Sequence, residues 1–189
     1  MKEIALHILD IAQNSLAAGA SEIRISVEED LIADRLRLCV EDNGKGMDAQ
    51  TLQQVVDPFT TSRTTRSVGL GIPLLKAAAE ASGGELRIES TPGCGTRLVV
   101  AFQHSHIDRM PLGDLPGTLL ALVVPNPQVR WQFRYTVTLP GVGEAHSFTF
   151  DSDEIVRVLG DIPLSDPDVL AFLRAHLTEG IAALQAECK

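Results

Sequence analysis

Four short segments, in one order along the chain, constrain this sequence more than any other feature: Asp10-x-x-x-Asn14, Asp42-Asn43-Gly44-Lys45-Gly46, Gly69-Leu70-Gly71 and Gly93-Cys94-Gly95-Thr96. Asp10 and Asn14 are one helical turn apart and share a face. An amide oxygen can ligate Mg²⁺ while phosphates occupy other positions, and a carboxylate one turn away can orient or deprotonate an attacking group. In the second segment the glycines permit a tight turn and close backbone approach, and Asp42 at a strand end can accept from an exocyclic amine. In the third, glycines open a helix whose free N–H groups suit an anion. The fourth reads as a hairpin turn. Taken singly, each also has an ordinary reading: a solvated helix face, a β-turn, a capping loop, a hairpin.

Periodicity supplies the frame around these segments. Ile4, Ala5, Ile8, Ile11, Ala12 and Leu16 recur at helical spacing over 2–18, ended by Gly19 and Ser21. Ile23, Ile25 and Val27 alternate with polar residues, as do Leu36, Leu38 and Val40, so both runs read as half-buried strands. Residues 48–56 read as a short helix capped by Asp48, 57–68 as a hydroxyl-rich loop, and 70–81 as a helix. Residues 84–90 and 95–103 form a final hairpin about Pro92-Gly93. Strands joined by short turns imply an antiparallel or mixed sheet with helices on one face, an α/β (α+β) fold. Beyond 103–104, residues 104–116 read as a linker and 117–189 as a small C-terminal α/β unit. In that unit Leu119–Val124, Arg130–Leu139 and His146–Phe150 are expected as strands. Asp151 is expected to cap a short helix, and Ser165 with Pro167 to open a last helix weakened at Gly180.

Together the four segments resemble the N, G1, G2 and G3 boxes of the superfamily of gyrase, heat-shock chaperone, histidine kinase and MutL (GHKL), over about residues 4–103. The text QNSLAAGASEIRI is similar to MutL-type proteins; GLGIPLLKAAAEASGGELRIES and GTRLVVAF are similar to sensor histidine kinases. The resemblance implies a two-layer Bergerat-type ATP-binding fold over 1–103 with a mixed, mostly antiparallel sheet. It implies that Asn14 holds Mg²⁺ against the phosphates and that Asp10 occupies the general-base position. Asp42 would take the adenine amine, supported by Thr96, while Gly44, Gly46 and Met47 admit the nucleotide. Residues 60–68 would form a lid bearing Thr65 and Arg66, and Gly69, Leu70 and Gly71 would line the phosphates.

Some positions depart from that pattern. ATP-hydrolysing relatives usually carry Glu where Asp10 stands, one methylene longer. With thirteen residues before Asn14, no dimerising hairpin with a phosphoacceptor histidine is expected ahead of the domain. The expectation is therefore an ATP- and Mg²⁺-dependent protein that transfers the γ-phosphate to a protein partner or hydrolyses ATP slowly. The alternatives are an ATP-dependent binding switch and, third, a MutL-like ATPase; a homodimer is compatible with all three.

Composition narrows the partners. Net charge is −9 and neither half is basic, which disfavours a nucleic-acid partner. No run approaches a membrane span, the N-terminus lacks the pattern of a cleaved leader, and three scattered cysteines suit a reducing, cytoplasmic setting. His7, on the stripe of Asn14, reads as packing before it reads as chemistry. His104, His106 and Asp108 read as a polar linker before a metal site.

Overall fold

The computed structural model describes residues 3–56, 71–141 and 145–187. The first apolar stripe forms helix α1 (Ile4–Ala17), which buries Ile4, Ala5, Ile8, Ile11 and Ala12 together with His7 and Ser15. Glu3, at its N-cap, makes no side-chain cap bond. The exposed N–H groups of the first turn are satisfied from far along the chain: Ile4 N donates to Pro111 O at 3.0 Å and Ala5 N to Leu112 O at 2.9 Å. Residues expected to be a linker thus serve as the cap of α1.

The alternating runs form β1 (Glu22–Asp30) and β2 (Arg35–Asp42), paired antiparallel. The turn between them is pinned by the Asp30 carboxylate, which accepts from Ile32 N and Ala33 N. Helix α2 (Ala49–Val56) follows Asp48, which accepts from Thr51 N at 2.7 Å, as expected of a cap. Helix α3 (Gly71–Ala81) and the hairpin β3 (Glu85–Thr91) and β4 (Gly95–Gln103) complete the first part of the chain. Each lies within a residue or two of its expected limits.

Leu119–Val124 is a correction. It lies almost entirely in helix α4 (Leu115–Val123) and not in a strand. Asp114 caps this helix by accepting from Gly117 N, and a proline occupies the first turn. Leu115, Leu119, Leu120, Leu122 and Val123 are all buried, so the helix is apolar on nearly every side. That pattern cannot be separated from a buried strand by periodicity. Strands β5 (Arg130–Thr138) and β6 (His146–Asp151) stand where expected, followed by α5 (Ser152–Leu159) and α6 (Pro167–Glu187). Asp151 caps α5 through Asp153 N. Asp166, not Ser165, serves the start of α6, accepting from Asp168 N at 2.9 Å.

The sheet order is β3-β4-β2-β1-β5-β6, antiparallel throughout except for the parallel pair β1 and β5. The 104–116 stretch does not interrupt it. Ile23 stands beside Trp131, Ile25 beside Phe133 and Val27 beside Tyr135, so residues 117–189 extend the sheet of the first part by two strands. One apolar cluster runs from Ile4 through these strands to Leu173 and Leu184 of α6. The opposite, polar face carries Arg24, Glu28, Arg37, Glu41 and Arg97, linked by ion pairs of 3.3–3.6 Å between Arg37 and Glu28 and from Glu41 to Arg24 and Arg97.

Candidate functional site

The strand ladder brings three polar side chains into one row. Asp42 at the end of β2 pairs with Thr96, and Thr96 pairs with Ser90, so all three stand on the core side of the sheet at one end. Asp42 is held by two donors: the Ser15 hydroxyl gives to Oδ2 at 2.6 Å and Gly44 N–H to Oδ1 at 2.9 Å. Ser90 gives its one proton to Gly95 O at 2.9 Å, accepts from Met47 N–H at 2.8 Å, and lies 2.9 Å from the Thr96 hydroxyl. The row therefore ties α1, the 42–47 turn and the 91–96 hairpin into one unit.

Three glycines permit this closeness. A Cβ at Gly44 would stand 3.0 Å from both Ala18 Cβ and Asp42 Oδ1. Gly46 has φ +64°, and a Cβ there would come within 2.0 Å of Thr91 O. Gly95 has φ +106°, and its Cβ would meet Asp42 O at 1.9 Å. Both angles lie where only glycine is comfortable. Lys45 N donates to Ala18 O at 3.0 Å, and Gly93 N to Lys45 O at 2.7 Å, which closes the turn against its neighbours.

On α1 the Asp10 carboxylate faces Gly71, the first residue of α3, so closely that a Cβ at 71 would lie 1.8 Å from Oδ2. That oxygen is buried and has no hydrogen-bond partner among the described residues. Asn14 is exposed one turn further on. His7 is 1% exposed. Burial is the main cause that lowers its pKa; the Asp10 charge and a backbone hydrogen bond with Gly71 pull the other way.

Of the expected residues, Asp42, Gly44, Gly46, Met47 and Thr96 are brought together at one end of the sheet, Asp10 and Gly71 meet at the start of α3, and Asn14 stands one turn after Asp10 on α1. Thr65, Arg66, Gly69 and Leu70 lie outside the described residues. Sequence reasoning missed Ser15, Ser90 and Asn43. Asn43 Oδ1 accepts from Ser21 N at 2.9 Å and Glu22 N at 3.0 Å, clamping the turn to the start of β1. A hydroxyl at Ser15, on the buried stripe of α1, was the available signal.

Two other polar places lie apart. A concavity of about 530 Å³ opens on the polar sheet face among Arg24, Ser26, Cys39, Arg97 and Arg134, away from Asp42 and Asp10. The Cys39 thiol there is pushed up by burial, away from thiolate character. His104 Nε2 lies 2.6 Å from Glu29 Oε2, and Tyr135 donates to the other oxygen of that buried carboxylate. The histidine of the linker thus closes on the sheet.

Comparison with known proteins gives the family and the fold. A family model described as histidine kinase-, DNA gyrase B-, and HSP90-like ATPase matches residues 1–106. The sensor protein kinase FleS of Pseudomonas aeruginosa is 44% identical over 89 residues, 47% of this chain and 22% of FleS. The cell-division control histidine kinase PdhS of Brucella anthropi is 32% identical over 120 residues, 57% of this chain and 11% of PdhS. The match therefore spans about a fifth or less of these curated relatives. Among solved structures, the N-terminal domain of a DNA repair protein shares the fold with a TM-score of 0.52 at 14% identity, covering 79% of this chain and 53% of that one. With more than half of its length matched by the family model, the chain belongs to the histidine kinase-, DNA gyrase B-, and HSP90-like ATPase family.

Proposed function

We propose that the protein binds Mg-ATP at the Asp42 end of the sheet and passes the γ-phosphate to a partner protein, or to water slowly, in cytoplasmic signalling. The observation that carries this reading is the state of the two carboxylates. Asp42 is fixed by Ser15 and Gly44 yet keeps acceptor capacity for an adenine amine. Asp10 has a buried oxygen without a partner among the described residues at the start of α3, where N–H groups favour an anion. In this reading Thr96 supports Asp42 at the base, and Met47 with Gly44 and Gly46 lies along it. Asn14 offers the amide oxygen for Mg²⁺, residues 60–68 form a lid bearing Thr65 and Arg66, and Gly69, Leu70 and Gly71 line the phosphates. When bound, Mg²⁺ neutralises charge on the phosphate oxygens. Asp10 accepts a proton from the attacking group.

A second reading is favoured by Asp10 itself, whose side chain is one methylene shorter than the usual glutamate. ATP would then order the lid, and a partner would read the changed surface with little turnover. The two readings separate with γ-labelled ATP and Mg²⁺, following released phosphate and label on protein. Under the first, turnover vanishes in Asp10→Asn while ATP affinity is kept. Tight binding with neither signal in the wild type selects the switch. Asn14→Ala with unchanged Mg-ATP affinity removes the metal role.

A further inference from the structure

The concavity on the polar face of the sheet is built by both halves of the chain. Arg24 and Ser26 of β1 and Cys39 of β2 line it together with Arg134 of β5, Thr149 of β6 and Glu154 of α5. Its volume of about 530 Å³ lies in the range of small-molecule sites. Most charges on its walls already answer one another. Glu41 stands 3.6 Å from both Arg24 and Arg97, and Glu28 3.3 Å from Arg37. Asp151 is held by Arg130 at 2.7 Å and by the Gln132 amide at 3.0 Å. Two charges of opposite sign are left over. Arg134 and Glu154 are exposed, line the same concavity, and form no ion pair or side-chain hydrogen bond with each other or with any other described residue.

Strand register surrounds Arg134 with further donors. Ser26 stands beside it on β1, and Thr149 beside it on β6. Cross-strand neighbours have Cβ atoms about 4.5–5.5 Å apart, so both hydroxyls reach a group bound to the guanidinium. Neither hydroxyl has a hydrogen-bond partner among the described residues. The guanidinium itself is a planar fork that takes a carboxylate through two N–H groups. An anion alone would satisfy Arg134 and leave Glu154 unanswered, and a cation alone would do the reverse. A molecule carrying both charges satisfies both.

We propose that this concavity binds a small zwitterion, an amino acid or short peptide with free termini. Its carboxylate lies on Arg134 between Ser26 and Thr149, and its ammonium on Glu154. The site is separate from the Asp42 row, which stands on the core side of the sheet, and does not depend on the Mg-ATP reading. Arg134 and Glu154 both lie beyond residues 1–106, the stretch matched by the family model. The site therefore gives the C-terminal part of the chain a binding role of its own.

The test uses the full chain labelled with ¹⁵N, without nucleotide. The standard free L-amino acids and triglycine are titrated to about 10 mM, since a ligand of this size in an open site binds at about 0.1–1 mM. The backbone amides of Ser26, Arg134, Thr149 and Glu154 should shift together and saturate. The dissociation constant should rise about tenfold or more when the ligand's carboxylate is amidated, and again when its amine is acetylated, because each change removes one charge-assisted contact. Arg134→Gln should abolish the effect of amidation and keep that of acetylation; Glu154→Gln should do the opposite. Arg157→Gln, which removes a charge of α5 that does not line the concavity, should change neither. No saturable shift with any of these zwitterions, or saturation that survives both substitutions, overturns the proposal. Acetate or inorganic phosphate binding as tightly as the zwitterions overturns it too, since Arg134 is then a plain anion contact. Displacement by Mg-ATP would put the ligand in the nucleotide site and has the same consequence. Should a variant fail to fold, the amidated and acetylated ligands on wild type decide the point.

Discussion

The Ser15 hydroxyl donates to Asp42 Oδ2 at 2.6 Å and so joins the buried face of α1 to the end of β2. Together with the Gly44 N–H on the other oxygen, it fixes the plane of the carboxylate before any ligand arrives. A hydroxyl adjacent in sequence to Asn14 therefore couples the proposed metal end of the site to its proposed base end.

Ser15→Ala should leave the fold intact and lower Mg-ATP affinity about five- to tenfold, equivalent to about 1 kcal/mol for one lost hydrogen bond. Titration calorimetry measures the affinity and circular dichroism the fold. An affinity equal to wild type would mean that Gly44 alone orients Asp42.

Gly95→Ala should destabilise the protein by about 2 kcal/mol or more, since its Cβ meets Asp42 O at 1.9 Å and φ is +106°. Gly93 is the control. It also has positive φ, +77°, but nothing lies within 4 Å of its added Cβ, so Gly93→Ala should cost only about 1–2 kcal/mol. Urea denaturation of the two variants separates the clash from the backbone strain; equal losses would argue that the contact relaxes freely.

Asp151 should show its weight through pH. The Arg130 guanidinium, with Nη2 at 2.7 Å, holds the Asp151 carboxyl below its usual value of 3.8. A depressed carboxylate adds stability that is full above the unfolded value and is lost as pH falls through the folded one. Asp151→Asn keeps an acceptor for Asp153 N–H but weakens the bond to Arg130, so it should cost about 1 kcal/mol at pH 7, because Arg130 is partly exposed. The deficit should shrink as pH is lowered below about 4, where the unfolded carboxyl binds its proton first, and should be gone below the depressed folded value. A deficit independent of pH would show that the ion pair contributes nothing.

Gly180→Ala should destabilise by about 1–3 kcal/mol, although alanine favours a helix by about 1 kcal/mol over glycine. The reason is Phe148 of β6, whose ring would lie 2.2 Å from the new Cβ. In a Phe148→Leu background the same change should become neutral or stabilising. Thermal melts of the four proteins form the cycle, and additive effects would disprove the contact.

Much of the first half of the fold was legible because its signals are local. The stripe of Ile4, Ile8 and Ile11, the alternation of Ile23, Ile25 and Val27, and the cap at Asp48 each depend on a few neighbouring residues. The site was legible to the extent that its residues are punctuation: glycines with positive φ at 46 and 95, and carboxylates at strand and helix positions. Ser90 and Asn43 were not, because their partners, Thr96 with Gly95 and Ser21 with Glu22, are set by strand register and turn closure. Leu119–Val124 was misread because a helix apolar on all sides has no period to display.

The sequence by itself determined the order of elements through residue 103, the glycine turns that close them, and the carboxylates and amide available for chemistry. These follow from side-chain spacing and backbone freedom, which act over a few residues. Only the tertiary structure decided that β5 pairs parallel with β1 and that Pro111 and Leu112 cap α1. It alone decided that Asp10 meets Gly71. Those contacts join residues about 60 to 110 apart, and an open strand edge or an uncapped helix end does not name its partner; packing of the whole core against one face does.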